Sequence, residues 1–179
     1  MTRLQQLSRI LPAALLAAGL TFGLAPAAHA QDEAPEGVVN YTRVDATVAC
    51  AGATPASAMP ALADLGFSSV INFRTAGENG ADIEGSRAAA EENGLTYIHI
   101  PFRTPTADDT EAFLAAIADE ANQPAYIHCG SANRVGAMWY IKRVVGDGWD
   151  TDRAMAEAEM IGLRSEALKA FATEYVANR

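Results

Sequence analysis

One ten-residue segment, IHCGSANRVG at residues 127–136, combines a thiol with a guanidinium at close spacing. An apolar run leads into Cys129, four small or polar residues follow, and Arg134 opens a helical pattern. This order places the sulfur between the end of a strand and the start of a helix, where backbone N–H groups and the helix dipole attract anions. The same positive field stabilises a thiolate, and a guanidinium offers a planar fork for phosphate or a similar oxyanion. The segment therefore predicts a nucleophile beside an oxyanion cradle.

The elements that must position this segment alternate along the chain. Short apolar runs at residues 48–51, 69–73, 96–100 and 125–128 are typical of buried strands. Helical patterns lie between them, and three more follow the cysteine. This alternation predicts an α/β fold in which helices flank a mainly parallel central sheet. Ligands of such sheets bind beyond the carboxyl ends of the strands, which is where Cys129 falls.

The start of the chain is typical of an export signal. Basic residues precede an apolar run over residues 10–24, and Ala28-His29-Ala30 has the pattern of a cleavage site. We therefore expect residues 1–30 to direct export, to a periplasm or out of the cell, and to be removed. Residues 31–43 are then a short N-terminal lead-in, of which the polar residues 31–37 are expected to be disordered, and residues 44–179 form one domain.

Composition excludes several classes of partner. The 179-residue chain carries a net charge of −9 at pH 7 and has no run of basic residues, so nucleic acid and anionic membranes are poor partners. No segment after the signal is long and apolar enough to span a bilayer. His99 and His128 lack metal-ligand spacing, so we expect neither a metal nor another cofactor. His99, within a strand pattern, is expected to be a hydrogen-bonded core histidine.

The chain resembles the cysteine-dependent phosphatase superfamily, specifically its small dual-specificity-like branch. Within that branch it is most similar to bacterial phosphatase-like domains of the beta-lactamase-hydrolase-like type. The resemblance rests on VINFRT at residues 70–75, YIHIP at residues 97–101 and IHCGSANRVGA at residues 127–137, and it extends over roughly residues 44–176. It implies a single domain with the dual-specificity phosphatase fold.

The resemblance also implies roles for the residues of the cysteine loop. Cys129 corresponds to the nucleophile that takes the phosphoryl group as a thiophosphate, and Arg134 binds the phosphate oxygens and the charge of the transition state. His128 supports the thiolate, and Asn133 braces the loop. The implied substrate is a phosphomonoester, on a small molecule or a phosphoprotein. The implied phosphate-binding residues are Gly130, Ser131, Ala132, Asn133 and Arg134.

Two features of the loop depart from the pattern of this superfamily. Four residues separate Cys129 from Arg134, where five are usual, and a loop of this length resembles that of rhodanese-type sulfurtransferases. Val135 follows the arginine, where a serine or threonine usually stabilises the departing thiolate; Ser131 is the hydroxyl available inside the loop. Three functions remain: a phosphatase, which the flanking motifs favour, a sulfurtransferase with a persulfide on Cys129, and a weakly catalytic oxyanion-binding domain.

A phosphatase of this kind uses an aspartic acid after the YIHIP strand to protonate the leaving oxygen, an effect worth about 10²- to 10⁴-fold. Asp108 and Asp109 are the carboxylates on that loop, and Asp109 is the candidate acid. Both also stand where a helix begins, and the more common role of acids there is to interact with the helix dipole. Arg103, on the same loop, is either a solvated residue, which we favour, or a ligand of the substrate.

Cys50 is the only other cysteine of the chain besides Cys129. In the related fold the first strand lies beside the strand of the nucleophile, so the resemblance suggests that Cys50 approaches Cys129. In an oxidising compartment the pair would form a reversible disulfide that protects the nucleophile; alternatively, Cys50 is a small buried apolar residue. Arg74 is expected either to support the cradle, which we favour, or to pair with Glu78 at the surface.

Overall fold

The computed structural model describes residues 33–179, which form an α/β fold around one sheet. The strands of this sheet are β1 (Thr42–Arg43), β2 (Val48–Ala51), β3 (Ser69–Asn72), β4 (Thr96–His99) and β5 (Ala125–His128). Their order is β1-β2-β5-β3-β4, and only β1 is antiparallel to its neighbour. The predicted class, a mainly parallel sheet flanked by helices, is confirmed, and β5, which leads into Cys129, is the central strand.

Six α-helices surround the sheet, and most begin at a polar side chain. Asp82, Thr106, Asp150 and Ser165 accept hydrogen bonds from the first-turn amides of α2, α3, α5 and α6, which satisfies donors that have no partner within the helix. The helices are α1 (Met59–Asp64), α2 (Ile83–Glu92), α3 (Ala107–Ala118), α4 (Asn133–Ile141), α5 (Thr151–Ile161) and α6 (Glu166–Ala177), with a π-helical extension of α4 over Lys142–Gly146 and 3₁₀ turns at Ala56–Ala58 and Glu120–Asn122.

Hydrophobic cores lie on both faces of the sheet, because successive strand residues point to opposite sides. Tyr126 packs in the smaller core with Leu62 of α1, whereas Ile127 packs in the larger core with Trp139 of α4. Cys129 continues the alternation and belongs to the larger core. The position of Cys129 is therefore fixed both by packing against residues of α4 and by the strand that precedes it.

The N-terminal lead-in takes part in the sheet. Thr42–Arg43, at the end of the expected lead-in, forms β1, a strand too short to produce an apolar alternation in the sequence. The α-helix between β2 and β3 begins at Met59, because Pro60 fits the first turn of a helix and not its interior. The expected export signal lies outside the described residues. Within residues 33–179, no helix has the length and apolar character that crossing a membrane requires.

Candidate active site

Cys129 follows β5 directly, and both neighbouring strands hold it in place. Its amide donates to the carbonyl of Ala51 at 3.3 Å, while the carbonyl of His128 accepts from the amide of Phe73 at 3.0 Å. A three-residue turn then leads to Asn133, where α4 begins. The expected order of strand, thiol and helix is present, so the helix N-terminus and the thiol are at the same end of the sheet.

The turn after the cysteine has its carbonyl oxygens bonded to groups outside it. The carbonyl of Gly130 accepts from the amide of Ala53 at 3.1 Å. The carbonyl of Ser131 accepts from the side-chain amide of Asn40 at 3.2 Å. The antiparallel bridge between Gly52 and Ser131 directs the amide of Ala132 towards Ala51. Within the described part of the chain, the amides of Gly130, Ser131 and Asn133, by contrast, donate to no acceptor. Amides of this kind are the donors with which such turns bind an oxyanion.

Close packing and backbone strain both constrain this turn. A Cβ added to Gly52 would lie 2.9 Å from the carbonyl oxygen of Val39 and 3.2 Å from the Cα of Ser131, so only glycine fits there. Ala132 has a φ of 66°, in the left-handed region that costs a non-glycine residue about 1 kcal/mol. Such strain persists where the surrounding structure holds a functional loop in one conformation.

The guanidinium of Arg134 is bound by the carboxylate of Glu78, a contact that the sequence did not reveal. Nη1 donates to Oε1 at 2.8 Å and Nη2 to Oε2 at 2.7 Å. Nη1 also donates to the carbonyls of Phe73 and Phe102, at 3.0 and 2.6 Å. These bonds leave Nε–H and one Nη2 hydrogen of Arg134, which lie on one edge of the guanidinium and suit bidentate binding of one oxyanion.

Both members of this pair are charged at neutral pH. Burial alone would raise the pKa of Glu78, but hydrogen bonds from Arg134 and from the amide of Thr75 lower it to about 2, so the carboxylate is ionised at neutral pH. Burial alone would lower the pKa of Arg134, but it is raised by the hydrogen bond to Glu78 and by the sulfur of Cys129. The guanidinium therefore interacts with the carboxylate and the candidate nucleophile together.

Arg74 is buried beside the loop that carries Glu78. Its Nη1 and Nη2 donate to the carbonyls of Gly80 and Asn79 at 3.0 and 2.6 Å, and its Nε is 3.7 Å from Oε2 of Glu78. The expected support of the cradle and the expected pairing with Glu78 are thus both present, but the pair is buried rather than at the surface. His99, as expected, is hydrogen-bonded: its Nε2 is 2.7 Å from the carbonyl oxygen of Arg74.

His128 is fully buried and neutral. Burial, with a smaller contribution from the positive charge of Arg74, lowers its pKa to about 3. The backbone groups of Cys129 and Gly52 are near enough to oppose this shift slightly, although neither makes a hydrogen bond of normal geometry with the ring. A neutral imidazole supplies no positive charge to a thiolate, so the supporting role predicted for His128 has to act through dipoles and packing.

Asn133 links the cysteine loop to the turn between α5 and α6. Its Oδ1 accepts from the amides of Arg164 and Ser165 at 2.7 and 2.9 Å. Its Nδ2 donates to Oγ of Ser131 at 3.4 Å. These contacts fit the bracing role expected of Asn133. Val135, two residues further along α4, is fully buried in the core and provides no hydroxyl to the site.

Cys129 itself has no exposed surface. Phosphate therefore reaches its sulfur only if groups that border the loop move. Glu78 borders the loop, since its Oε2 lies 3.4 Å from the place that a Cβ on Gly130 would occupy. Its bonds to Arg134 and Thr75, however, hold it in place.

Asp109 lies at the start of α3, where it forms a capping box with Thr106. Its Oδ2 accepts from the amide of Thr106 at 2.9 Å and from the hydroxyl at 2.7 Å. This is the role of an acid at a helix N-terminus, and the catalytic role of Asp109 stays a prediction. Arg103 is exposed and donates to the carbonyl of Gly77 at 3.3 Å, at the edge of the loop that carries Glu78.

Cys50 and Cys129 are free thiols in the same buried core. Cys50 lies opposite Ile127 in the pairing of β2 with β5, so Cys129 is two residues further along. Strand spacing and rise then place the two Cα atoms about 8 Å apart, beyond the reach of an unstrained disulfide. Burial raises the pKa of the Cys50 thiol. The redox pairing stays a prediction, and it requires local movement. Within the described residues, no cluster of side chains suits a metal ion.

Solved structures of other proteins share this fold. A protein from Shewanella putrefaciens has 21% sequence identity and a TM-score of 0.67, over 79% of this chain and 92% of that chain. TpbA from P. aeruginosa has 22% identity and a TM-score of 0.61, over 79% and 85%. A cysteine-to-serine variant of TpbA, in complex with phosphotyrosine, has 22% identity and a TM-score of 0.60, over 77% and 83%. The TM-scores establish a shared fold, and at sequence identities this low they establish the fold alone.

The family assignment comes from the sequence itself. No curated protein matches the chain significantly. Residues 40–146, however, match the family described as "Beta-lactamase hydrolase-like protein, phosphatase-like domain", and this range contains the whole sheet from β1 and the entire cysteine loop. The chain therefore belongs to the family of beta-lactamase hydrolase-like, phosphatase-like domains.

Proposed function

We propose that this protein is an exported cysteine-dependent phosphatase that hydrolyses a phosphomonoester through a thiophosphate on Cys129. The observation that carries the proposal is one arrangement of donors around one thiol. The amides of Gly130, Ser131 and Asn133 have no acceptor within the described chain, and Arg134 keeps one edge of its guanidinium for an oxyanion. The phosphotyrosine bound to TpbA, which shares the fold, supports a phosphorylated substrate.

In the first step the thiolate of Cys129 attacks phosphorus. The sulfur–phosphorus bond forms while the bond from phosphorus to the leaving oxygen breaks, and that oxygen takes a proton from an acid or from water. The loop amides and Arg134 hold the equatorial oxygens, on which the charge of the transition state lies. Glu78 keeps the guanidinium in one orientation, because each carboxylate oxygen binds a different nitrogen.

In the second step water attacks the phosphorus of the thiophosphate. The sulfur–phosphorus bond breaks, the thiolate is restored, and phosphate leaves with the oxygen of the water. Val135 cannot donate a hydrogen bond to the departing sulfur, and Ser131 is the hydroxyl residue of the loop. We therefore expect this second step to limit turnover. Asp109 stands where a general acid would protonate the leaving oxygen and later take the proton of the water. Its hydrogen bonds to Thr106 favour a capping role, however, so we expect water to exchange both protons.

The site of action and the partner follow from the same proposal. The basic start, apolar run and small-residue cleavage pattern of residues 1–30 support export to a periplasm or secretion. The partner is a phosphorylated small molecule or a phosphoprotein that is present in that compartment.

Sulfur transfer is the second candidate, and a specific observation favours it. Only four residues separate Cys129 from Arg134, and Val135 lacks the hydroxyl that helps a thiophosphate to turn over. In this reaction the thiolate of Cys129 takes the outer sulfur of thiosulfate and releases sulfite. The persulfide then passes that sulfur to an acceptor such as cyanide, which becomes thiocyanate, and the thiolate returns.

A paired assay distinguishes these functions. The full chain, Cys129→Ser and the control Cys50→Ser are each tested for hydrolysis of p-nitrophenyl phosphate and for thiocyanate formation from thiosulfate and cyanide. We expect phosphate hydrolysis that Cys129→Ser abolishes and Cys50→Ser retains. Thiocyanate formation without hydrolysis would replace the proposal with sulfur transfer. Failure of both reactions, with vanadate or phosphate still bound, would leave a domain that only binds oxyanions.

A further inference from the structure

Two arginines beside the cysteine loop form no ion pair within 4 Å and no contact with an aromatic ring in the described part of the chain. Arg103 and Arg164 donate hydrogen bonds only to backbone carbonyls. The pKa of Glu159 is nevertheless lowered, mainly by Lys169 and to a smaller extent by the charge of Arg164. Ion pairs or aromatic rings engage every other basic residue from 33 to 179, namely Arg43, Arg74, Arg87, Arg134, Lys142, Arg143, Arg153, Lys169 and Arg179. In a chain with a net charge of −9, two cations without such partners at one end of the sheet suit an anionic ligand.

Both arginines are attached to the cradle through a neighbouring backbone group. The carbonyl of Phe102, immediately before Arg103, accepts from Nη1 of Arg134 at 2.6 Å. The amide of Arg164 donates to Oδ1 of Asn133, immediately before Arg134, at 2.7 Å. The backbones of both arginines therefore lie beside the cradle that contains Arg134.

Arg164 differs from Arg103 because it lines a cavity of about 520 Å³ beside the cysteine loop. This volume falls in the range of small-molecule sites. Nη1 of Arg164 donates to the carbonyls of Glu159 and Leu163, while Nη2 and Nε have no acceptor among the described residues. The cavity shares two residues with the loop, and its hydroxyl and amide side chains are those of Asn40, Tyr41, Thr42, Ser131 and Asn133.

We propose that this cavity binds the leaving group of the substrate and that Arg164 binds a second anionic group on it. The inference rests on the proposed phosphatase function and specifies its substrate class. Hydroxyl and amide side chains pair with hydroxyl groups, and a guanidinium with open donors pairs with phosphate or carboxylate. The substrate is therefore a small phosphorylated polyol or sugar that carries a further phosphate or carboxylate.

Binding measurements in the Cys129→Ser background test this assignment without turnover. The probes are fructose 1,6-bisphosphate and fructose 6-phosphate, which differ by one phosphate, and affinity is measured by calorimetry. We expect Arg164→Gln to weaken binding of the bisphosphate by about 10- to 100-fold, the effect of losing a hydrogen bond between charged groups. Binding of the monophosphate should change by less than about threefold.

Arg103→Gln is the matched control, because it removes the same charge from a second loop beside the cradle. An equal loss of bisphosphate affinity in Arg103→Gln would show a general electrostatic effect and overturn the assignment, as would equal affinity of the Cys129→Ser protein for the two probes. A dependence on Arg164 seen only with phosphotyrosine peptides that carry a neighbouring glutamate would make the partner a protein and overturn the small-molecule class. If p-nitrophenyl phosphate is not hydrolysed by the full chain, the proposed function fails, while the binding result still decides the role of Arg164.

Discussion

Each carboxylate oxygen of Glu78 accepts a hydrogen bond from a different terminal nitrogen of Arg134, at 2.8 and 2.7 Å. The side chains of both residues are mostly buried, so the pair has one orientation and the opposite edge of the guanidinium points in a fixed direction. Arg74 in turn holds the loop of Glu78 through two backbone carbonyls. The arginine that we propose to bind substrate is thus positioned by a carboxylate, and that carboxylate by a second arginine.

Glu78→Gln is expected to lower kcat/KM for an aryl phosphate by about 10- to 100-fold, because a small displacement of Arg134 misplaces the group that binds the transition state. The amide keeps one acceptor but loses the charge and one of the two paired bonds. Stability should fall by about 1–3 kcal/mol, because a buried donor loses its acceptor. Steady-state kinetics and urea unfolding measure the two effects. Glu91→Gln, on an exposed position of α2, is the control, and equal activity of the two variants would remove the positioning role.

Acid should destabilise the fold in two overlapping ranges of pH. An unfolded histidine binds a proton near pH 6.5, whereas burial lowers the pKa of His128 to about 3. The unfolded state therefore binds more protons between these values, and stability falls as the pH decreases, by up to about 1.4 kcal/mol per pH unit. Glu78, with its pKa lowered from 4.5 to about 2, stabilises the fold above pH 4.5, and that contribution is lost as the pH falls towards 2.

Urea unfolding at pH 7, 5.5, 4.5 and 3.5 checks both ranges. His128→Asn should flatten the profile between pH 6.5 and 4.5, while Glu78→Gln should flatten it only below pH 4.5. A wild-type stability that stays constant between pH 6.5 and 4.5 would contradict the neutral, buried state of His128.

The sequence predicted the parts of the site that follow one another along the chain. Cys129, its turn and Arg134 lie within six residues, so their strand–turn–helix context is a local property that apolar periodicity reveals. The four parallel strands were predicted for the same reason. β1 was not, because a two-residue strand has no period and depends on its pairing with β2.

The contacts between distant segments were the part that the sequence did not reveal. Glu78 and Arg134 are separated by 56 positions, and a loop glutamate four residues after Arg74 has an obvious local partner. Only the adjacency of β3 to β5 brings Glu78 to Arg134. The same holds for Asn40 and Arg164, which reach the cysteine loop through β1 and through the α5–α6 turn. Sheet order, rather than local pattern, decides which charges meet.

Gly52→Ala should damage the oxyanion cradle more than the fold. The added Cβ would lie 2.9 Å from the carbonyl of Val39 and 3.2 Å from the Cα of Ser131, so the turn has to shift. We expect at least a tenfold loss of vanadate affinity and a stability cost of about 1–3 kcal/mol. Gly77→Ala is the matched control, because its Cβ would meet no atom within 4 Å. If the two variants bind vanadate equally well, the turn tolerates the displacement.

Peroxide treatment tests whether Cys50 protects Cys129. Oxidation of Cys129 to a sulfenic acid, followed by attack of the Cys50 thiol with loss of water, would give a disulfide. We expect this disulfide to be strained, since the register separates the Cα atoms by about 8 Å, and therefore to be readily reduced by dithiothreitol with recovery of activity. Cys50→Ala should instead lose activity permanently. Non-reducing mass spectrometry that finds no disulfide in the peroxide-treated protein would exclude the protective pair.

The substitution Asp109→Asn distinguishes a helix-capping role of this carboxylate from a catalytic one. Both hydrogen bonds that Oδ2 accepts come from Thr106 at the start of α3, so the contacts observed predict a loss of stability of about 0.5–2 kcal/mol. If the carboxylate only caps the helix, kcat stays within about threefold of wild type for both p-nitrophenyl phosphate and an alkyl phosphate. If it is the general acid, kcat for the alkyl phosphate falls by about 10²- to 10⁴-fold, and p-nitrophenyl phosphate, whose leaving group needs little protonation, is affected much less. Asp108→Asn is the control, because Asp108 is exposed in the same turn. We expect the capping result, since Asp109 has to break two hydrogen bonds before it can reach a leaving group.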